Sequence, residues 1–205
     1  MHILRWLAIF LCALILTSCA TLTPSKQEQT PLTPSTPALS GEKRVQTLSA
    51  IKTWDLKAQI GIRQPPKSWS ASLQWQQQQQ NYHISLFGPL GTHAYELTGR
   101  PGNVRLAEAN GKAITAATPE ELLLKASGSA LPVSNMYYWV RGLPVPNLPA
   151  QKQFDSANRL VSLQQQGWNI QYLGYTTVNG VDVPSKISLN NAHLHIKVAI
   201  NHWQF

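Results

Sequence analysis

Near the carboxyl end, Leu194, Ile196, Val198 and Ile200 alternate with His193, His195, Lys197 and Ala199. A period of two sends successive side chains to opposite faces of a strand, so this segment has one apolar and one wet face. The same pattern runs through Trp54, Leu56, Ala58, Ile60 and Ile62, with Asp55, Lys57, Gln59 and Arg63 among the intervening positions. Pro65-Pro66 breaks that strand, and Trp69, Ala71, Leu73 and Trp75 form the next. The run Gln76 to Gln80 with Asn81 reads as a polar hairpin tip, because strands flank it closely. Tyr82, Ile84 and Leu86 begin a third strand, and Tyr95 and Leu97 mark a fourth. Pro101-Gly102 turns the chain into Val104 and Leu106, and Asn110-Gly111 turns it toward Ile114. Later strands are expected over 159–163, 168–175 and 185–190, with turns at Gln166-Gly167 and Asn179-Gly180.

Helices interrupt this series. Ser40 is placed to cap a short helix with Glu42 in its first turn, and Val45, Leu48 and Ile51 form a stripe. Thr118 caps a second, Pro119 takes its first position, and Gly128 ends it. A third is predicted from about Ser134 to Arg141, stopped by Gly142, before a loop over 143–149 with three prolines. The pattern predicts a mainly β protein with a few helices, an antiparallel barrel or strongly curved sheet capped by them. Charged residues make up only 13% of the chain, which suits half-wet strands better than charge-laced helices.

The first 18 residues read differently. Arg5 precedes an apolar run from Trp6 to Leu16, and these eleven residues are too few to span a bilayer, which needs roughly 20. They fit the core of an export signal that ends in Leu16-Thr17-Ser18-Cys19, a lipobox. Cleavage before Cys19 would make that cysteine the site of N-acyl and S-diacylglycerol attachment. One lipid chain binds a membrane only marginally, whereas several anchor it. Ala20, where an aspartate would signal inner-membrane retention, favours the outer membrane. Residues 19–40 carry prolines at 24, 31, 34 and 37 and read as a flexible tether, leaving 41–205 as the folded body.

Cys12 leaves with the signal and Cys19 takes the lipid, so the body has no thiol for a disulfide or a metal cluster. Without Arg5 the chain keeps 16 of its 17 Lys and Arg against 9 Asp and Glu, a net charge of +7. The basic residues form no dense run, which argues against nucleic acid and leaves solubility, anionic lipid or an acidic protein partner. His193 and His195 have no carboxylate or thiol beside them and read as a surface pair, not a metal site. No nucleophile elbow, zinc-protease, CxxC or phosphate-loop motif appears, so neither catalysis nor a cofactor is expected. The strands are instead rich in aromatics. Trp54, Trp75, Tyr82, Tyr95, Trp168 and Tyr172, with Trp139 of the third helix, are candidates for the lining of an apolar cavity or for plain core. Gly88-Pro89-Leu90-Gly91 forces an abrupt turn that places Leu90 at an exposed tip, where it could enter lipid.

The lipobox, Leu73-Gln74-Trp75-Gln76, Gly88-Pro89-Leu90-Gly91, Pro101-Gly102-Asn103-Val104, Leu131-Pro132-Val133, Tyr138-Trp139-Val140-Arg141-Gly142-Leu143-Pro144 and Gly167-Trp168 occur in an order that resembles the LolB family of outer-membrane lipoprotein receptors. The Gln run at 76–80 and the loop at 143–149 depart from that family's pattern. The resemblance implies an open antiparallel β-barrel with helices over one end and an apolar cavity. It also implies a monomer that accepts acylated client lipoproteins from the periplasmic carrier LolA. Such a receptor releases them among the phospholipids of the outer membrane's inner leaflet, with Leu90 promoting delivery. Rival expectations are a lipid-binding lipoprotein of the same fold that keeps its ligand, an integral outer-membrane barrel, and a hydrolase. The polar tether and mid-chain helices oppose the barrel, and the missing motifs oppose the hydrolase.

Overall fold

The computed structural model describes residues 41–88 and 93–205. The signal, Cys19 and the tether therefore lie outside the described residues, as do Pro89, Leu90 and Gly91 of the delivery loop. Among the described residues, eleven strands form one antiparallel sheet in the order β6-β5-β4-β3-β2-β1-β11-β10-β9-β8-β7. β1 (Thr53–Gln64), β2 (Lys67–Gln78), β3 (Asn81–Phe87), β4 (His93–Arg100), β5 (Asn103–Glu108) and β6 (Ala113–Ala116) make one wing. β11 (His195–Gln204), β10 (Val181–Asn190), β9 (Trp168–Val178), β8 (Leu160–Gln165) and β7 (Gln151–Phe154) make the other. β6 and β7 are its edges, so the sheet stays open. Both edges are only four residues long, which limits the unpaired backbone they expose.

The alternation read from the sequence sets which face is inside. Trp54, Leu56, Ala58, Ile60 and Ile62 are all buried, as are Ile196, Val198 and Ile200 across the β1–β11 pairing. Register slips between Lys57 and Ala58 in that pairing, and again where β10 meets β9 at Pro184–Ile187. Bulges of this kind bend a strand and increase its twist, which curls the sheet around its apolar face. Pro184 has no N–H to give. β10 begins to pair with β11 only at Lys186, and Trp203 Nε1 donates to the Pro184 carbonyl at 2.9 Å instead.

Three helices cover the inner face. α2 (Pro119–Ser127) forms where its signals predict: Thr118 Oγ1 accepts from Glu121 N, and Gly128 ends the helix at φ 74°. α3 spans Val133–Trp139, shorter than the predicted segment, and buries Val133, Met136 and Trp139. α1 (Gly41–Ala50) buries Leu48 but not Val45, which is 45% exposed. Arg44 takes the inward place expected of Val45. Its guanidinium donates to the Asp182 carbonyl at 2.6 Å, lies 3.8 Å from the Asp182 carboxylate and sits over the Tyr175 ring. A hydrophobicity pattern cannot find a buried cation held in this way.

Three other expectations change. The Gln run is not all hairpin tip: β2 continues to Gln78, and only Gln79 and Gln80 make the turn. The alternation continues through it, because Gln77 is an inward position. β7 was not expected, since all four of its residues are exposed and carry no alternation. His193 and Leu194 precede β11 in a turn where the Asn191 side chain accepts from both backbone N–H groups.

The proline-rich loop is fastened by Gln165, which is 3% exposed. Its Oε1 accepts from Trp139 Nε1 at 3.1 Å and Val145 N at 2.8 Å, and its Nε2 donates to the Val145 carbonyl at 2.9 Å. Gln165→Leu would leave these buried groups unpaired, and we expect a loss of roughly 3 kcal/mol. A urea denaturation midpoint unchanged from the parent would show that the loop is held by other means.

Candidate functional site

The inner face is filled differently in its two wings. On the β8–β10 side, aromatic side chains leave little room. Trp139 and Trp168 lie 6.2 Å apart, and Tyr172 Oη donates to the Trp139 carbonyl at 3.1 Å. At the centre, Trp54 stands between Trp75 at 5.1 Å and Trp203 at 5.4 Å. Burial pushes the Tyr172 phenol well above its ordinary range.

On the β1–β5 side the cover does not meet the sheet. A cavity of about 380 Å³ lies between Ile60, Ile62, Leu73, Ile84, Leu97 and Leu106 of the sheet and Leu123, Leu131 and Met136 of the helical segment. Its lining is mostly aliphatic, with Trp69, Trp75 and Tyr95, and its volume is within the range of small-ligand sites. Trp69 and Tyr95 stand on its rim, 44% and 43% exposed although both are inward positions of their strands. They mark the mouth, at the end of the sheet where β2 and β4 begin and β3 ends. Its far wall is Trp75 with Val133.

Beyond that wall is a second, more polar chamber of about 550 Å³, bounded by Lys52, Gln77, Tyr82, Arg100 and the rings of Tyr137 and Tyr138. Trp75 is locked between the two: its Nε1 donates to Gln77 Oε1 at 2.9 Å, and Gln77 Nε2 donates to the Gln79 and Asn81 carbonyls. The same amide steadies the turn, in which Gln79 adopts φ 58°, a conformation unusual for glutamine. Tyr82 lies across Gly99 of the neighbouring strand, where a Cβ would meet the ring at 2.1 Å, so only glycine admits it. Behind Tyr137 and Tyr138, Arg141 is 1% exposed and donates to the carbonyls of Tyr137, Leu48 and Ile51. Burial pulls its pKa below the ordinary value, and the two tyrosines act in the opposite sense.

Of the aromatics singled out from the sequence, Trp75 and Tyr95 line the apolar cavity, and Trp75 and Tyr82 line the polar chamber. Trp54, Trp139 and Tyr172 sit in packed core, and Trp168 borders a shallow polar groove near Pro149. Of the delivery loop only Gly88 is described, directly after β3. The aliphatic lining was not singled out beforehand. Each strand member belongs to a readable alternation, but nothing in a strand pattern reports where the opposite layer stands off. No group of His, Cys, Asp and Glu among the described residues could hold a metal.

The architecture is a half-open antiparallel sheet curled around an apolar cavity under a helical cover. Two solved structures are similar in fold: a DUF1329 family protein from Desulfovibrio piger, at a TM-score of 0.53 and 6% identity, and a LolA superfamily protein from Nitrosomonas europaea, at 0.52 and 8%. Each likeness covers 82% of this chain, and 93% and 94% of those chains respectively. In sequence, residues 52–203 match the family model described as outer membrane lipoprotein LolB. The outer-membrane lipoprotein LolB of Coxiella burnetii is 38% identical over 97% of this chain and 92% of its own. That of Pseudomonas savastanoi is 40% identical over 98% and 96%, and that of Pseudomonas putida 44% over 77% of each. The chain belongs to the LolB family of outer-membrane lipoproteins.

Met136→Trp should fill the apolar cavity from the helical side while keeping an apolar surface. We expect affinity for a fluorescent fatty-acid probe to fall by roughly tenfold, about 1.4 kcal/mol, with little change in stability. Undiminished probe binding, read by fluorescence titration, would place acyl chains outside this cavity.

Proposed function

We propose that this protein takes acylated lipoproteins from a periplasmic carrier of the LolA type and delivers them into the inner leaflet of the outer membrane. It is held there by lipid on Cys19, and the tether over 19–40 lets the body move near the surface. The observation that carries this reading is the aliphatic cavity of about 380 Å³ with its half-exposed aromatic mouth. Family membership supplies the setting.

Transfer by this route is a matter of binding. Each buried CH₂ of a lipid chain is worth about 0.8 kcal/mol, so a long chain exposed to water would face a barrier of roughly 10 kcal/mol. A dry cavity removes that barrier. A slightly better fit here than in the carrier sets the direction, and release into bilayer is downhill, so nucleotide is not required. Leu90 lies in the connection between β3 and β4, whose ends flank the mouth through Leu86 and Tyr95. An apolar residue there is well placed in the chain to open a path into lipid.

The test is transfer of a labelled lipoprotein from purified carrier, through the soluble Cys19→Ala form, into liposomes without ATP. Onward passage supports the receptor reading. Acyl binding with no passage would leave a lipid-binding lipoprotein that retains its ligand. In the same assay Leu90→Glu should accept clients from the carrier but lose most delivery, and normal delivery by that variant would remove Leu90 from the mechanism.

A further inference from the structure

The polar chamber differs in chemistry from the apolar cavity. Lys52 precedes β1, Tyr82 opens β3 and Arg100 closes β4, so antiparallel pairing brings all three to one end of the sheet, opposite the apolar mouth. The chamber lining contains two cations and no carboxylate. Neither the Lys52 nor the Arg100 side chain has a hydrogen bond or ion pair among the described residues. Tyr82 also borders the chamber, while its Oη is turned against Gly99, closed to solvent and without a protein partner. Glu120 is close enough to act on Tyr82 through its charge, but its carboxylate accepts from Ser134 N and Oγ, at 2.8 and 3.1 Å, and does not line the chamber. Arg141 adds a third positive charge behind the tyrosine wall.

We propose that this chamber binds the phosphate group of an anionic amphiphile, with Lys52 and Arg100 supplying charge, and Tyr82, Tyr137 and Tyr138 apolar contact. A guanidinium fork and an ammonium together suit a group with several acceptor oxygens. A cleft lined by one sign of charge concentrates such anions. The wall of Trp75 makes this a separate site from the acyl cavity.

The mature-length chain carrying Cys19→Ala would be titrated with dihexanoyl phosphatidylglycerol below its micellar concentration, followed by calorimetry and phosphorus NMR. Lys52→Gln with Arg100→Gln, both at exposed positions, should weaken binding by roughly tenfold or more. Affinity should also fall as salt is raised. Met136→Trp, which fills the apolar cavity, should leave it unchanged. Displacement by inorganic phosphate at matching concentration would identify free phosphate as a sufficient ligand. Failure of phosphate to compete would assign the site to a lipid headgroup with its apolar body. Unchanged binding in the double variant, or no binding by the parent, would overturn the proposal whatever the outcome of the transfer assay.

Discussion

The amide of Gln165 joins three parts of the molecule that the sheet alone could not bring together. A sheet that curls but does not close must have its inner face covered by something other than strands. Here the cover, among the described residues, is three short helices and a proline-rich loop, whose irregular backbone needs hydrogen-bond partners once it is buried. Gln165 serves Val145 and the Trp139 indole, Tyr172 serves the Trp139 carbonyl, and Arg141 serves the last turn of α1 at Leu48 and Ile51. Without these the loop would favour solvent, and the aromatic residues beneath it would lose their roof.

All of those fastenings hold one side of the cover. They lie around β8, β9 and α1, and the described residues show no comparable side-chain bond from α2 or α3 to the inner face of β3 to β5. There the cover rests mainly on apolar contacts, through Leu123, Val133 and Met136, with Ser129 just after α2 donating to the Gln64 side chain at the end of β1. Aliphatic contact has no preferred distance set by hydrogen-bond geometry, so a gap can persist without leaving any polar group unpaired. The cavity thus lies where polar bonds from the cover to the sheet are sparse.

This division also decides what could be read from the sequence. Strand alternation and turn residues located ten of the eleven strands, because period and punctuation are local properties. The missed one, β7, has no buried residue to give it a period. The caps of α2 were legible for the same reason. Arg44, Gln77, Gln165 and Arg141 were not, since a buried polar residue is recognised only by partners distant in sequence. Aromatics were a poor guide to the cavity: Trp54 and Trp75 share one alternation pattern and touch each other, yet only Trp75 lines a chamber.

Trp75 is what makes the two chambers distinct. An indole whose N–H is free can swing, but this one is held by Gln77, and Gln77 is in turn held by two carbonyls of the hairpin turn. Moving the ring would leave the buried amide short of a partner, so the wall is stiffer than the aliphatic residues on its apolar side. The wall therefore stands between the apolar cavity, with Trp69 and Tyr95 at its exposed rim, and the polar chamber. It also lets opposite ends of one curled sheet offer surfaces of opposite character: one half-apolar and rimmed by aromatics, the other cationic.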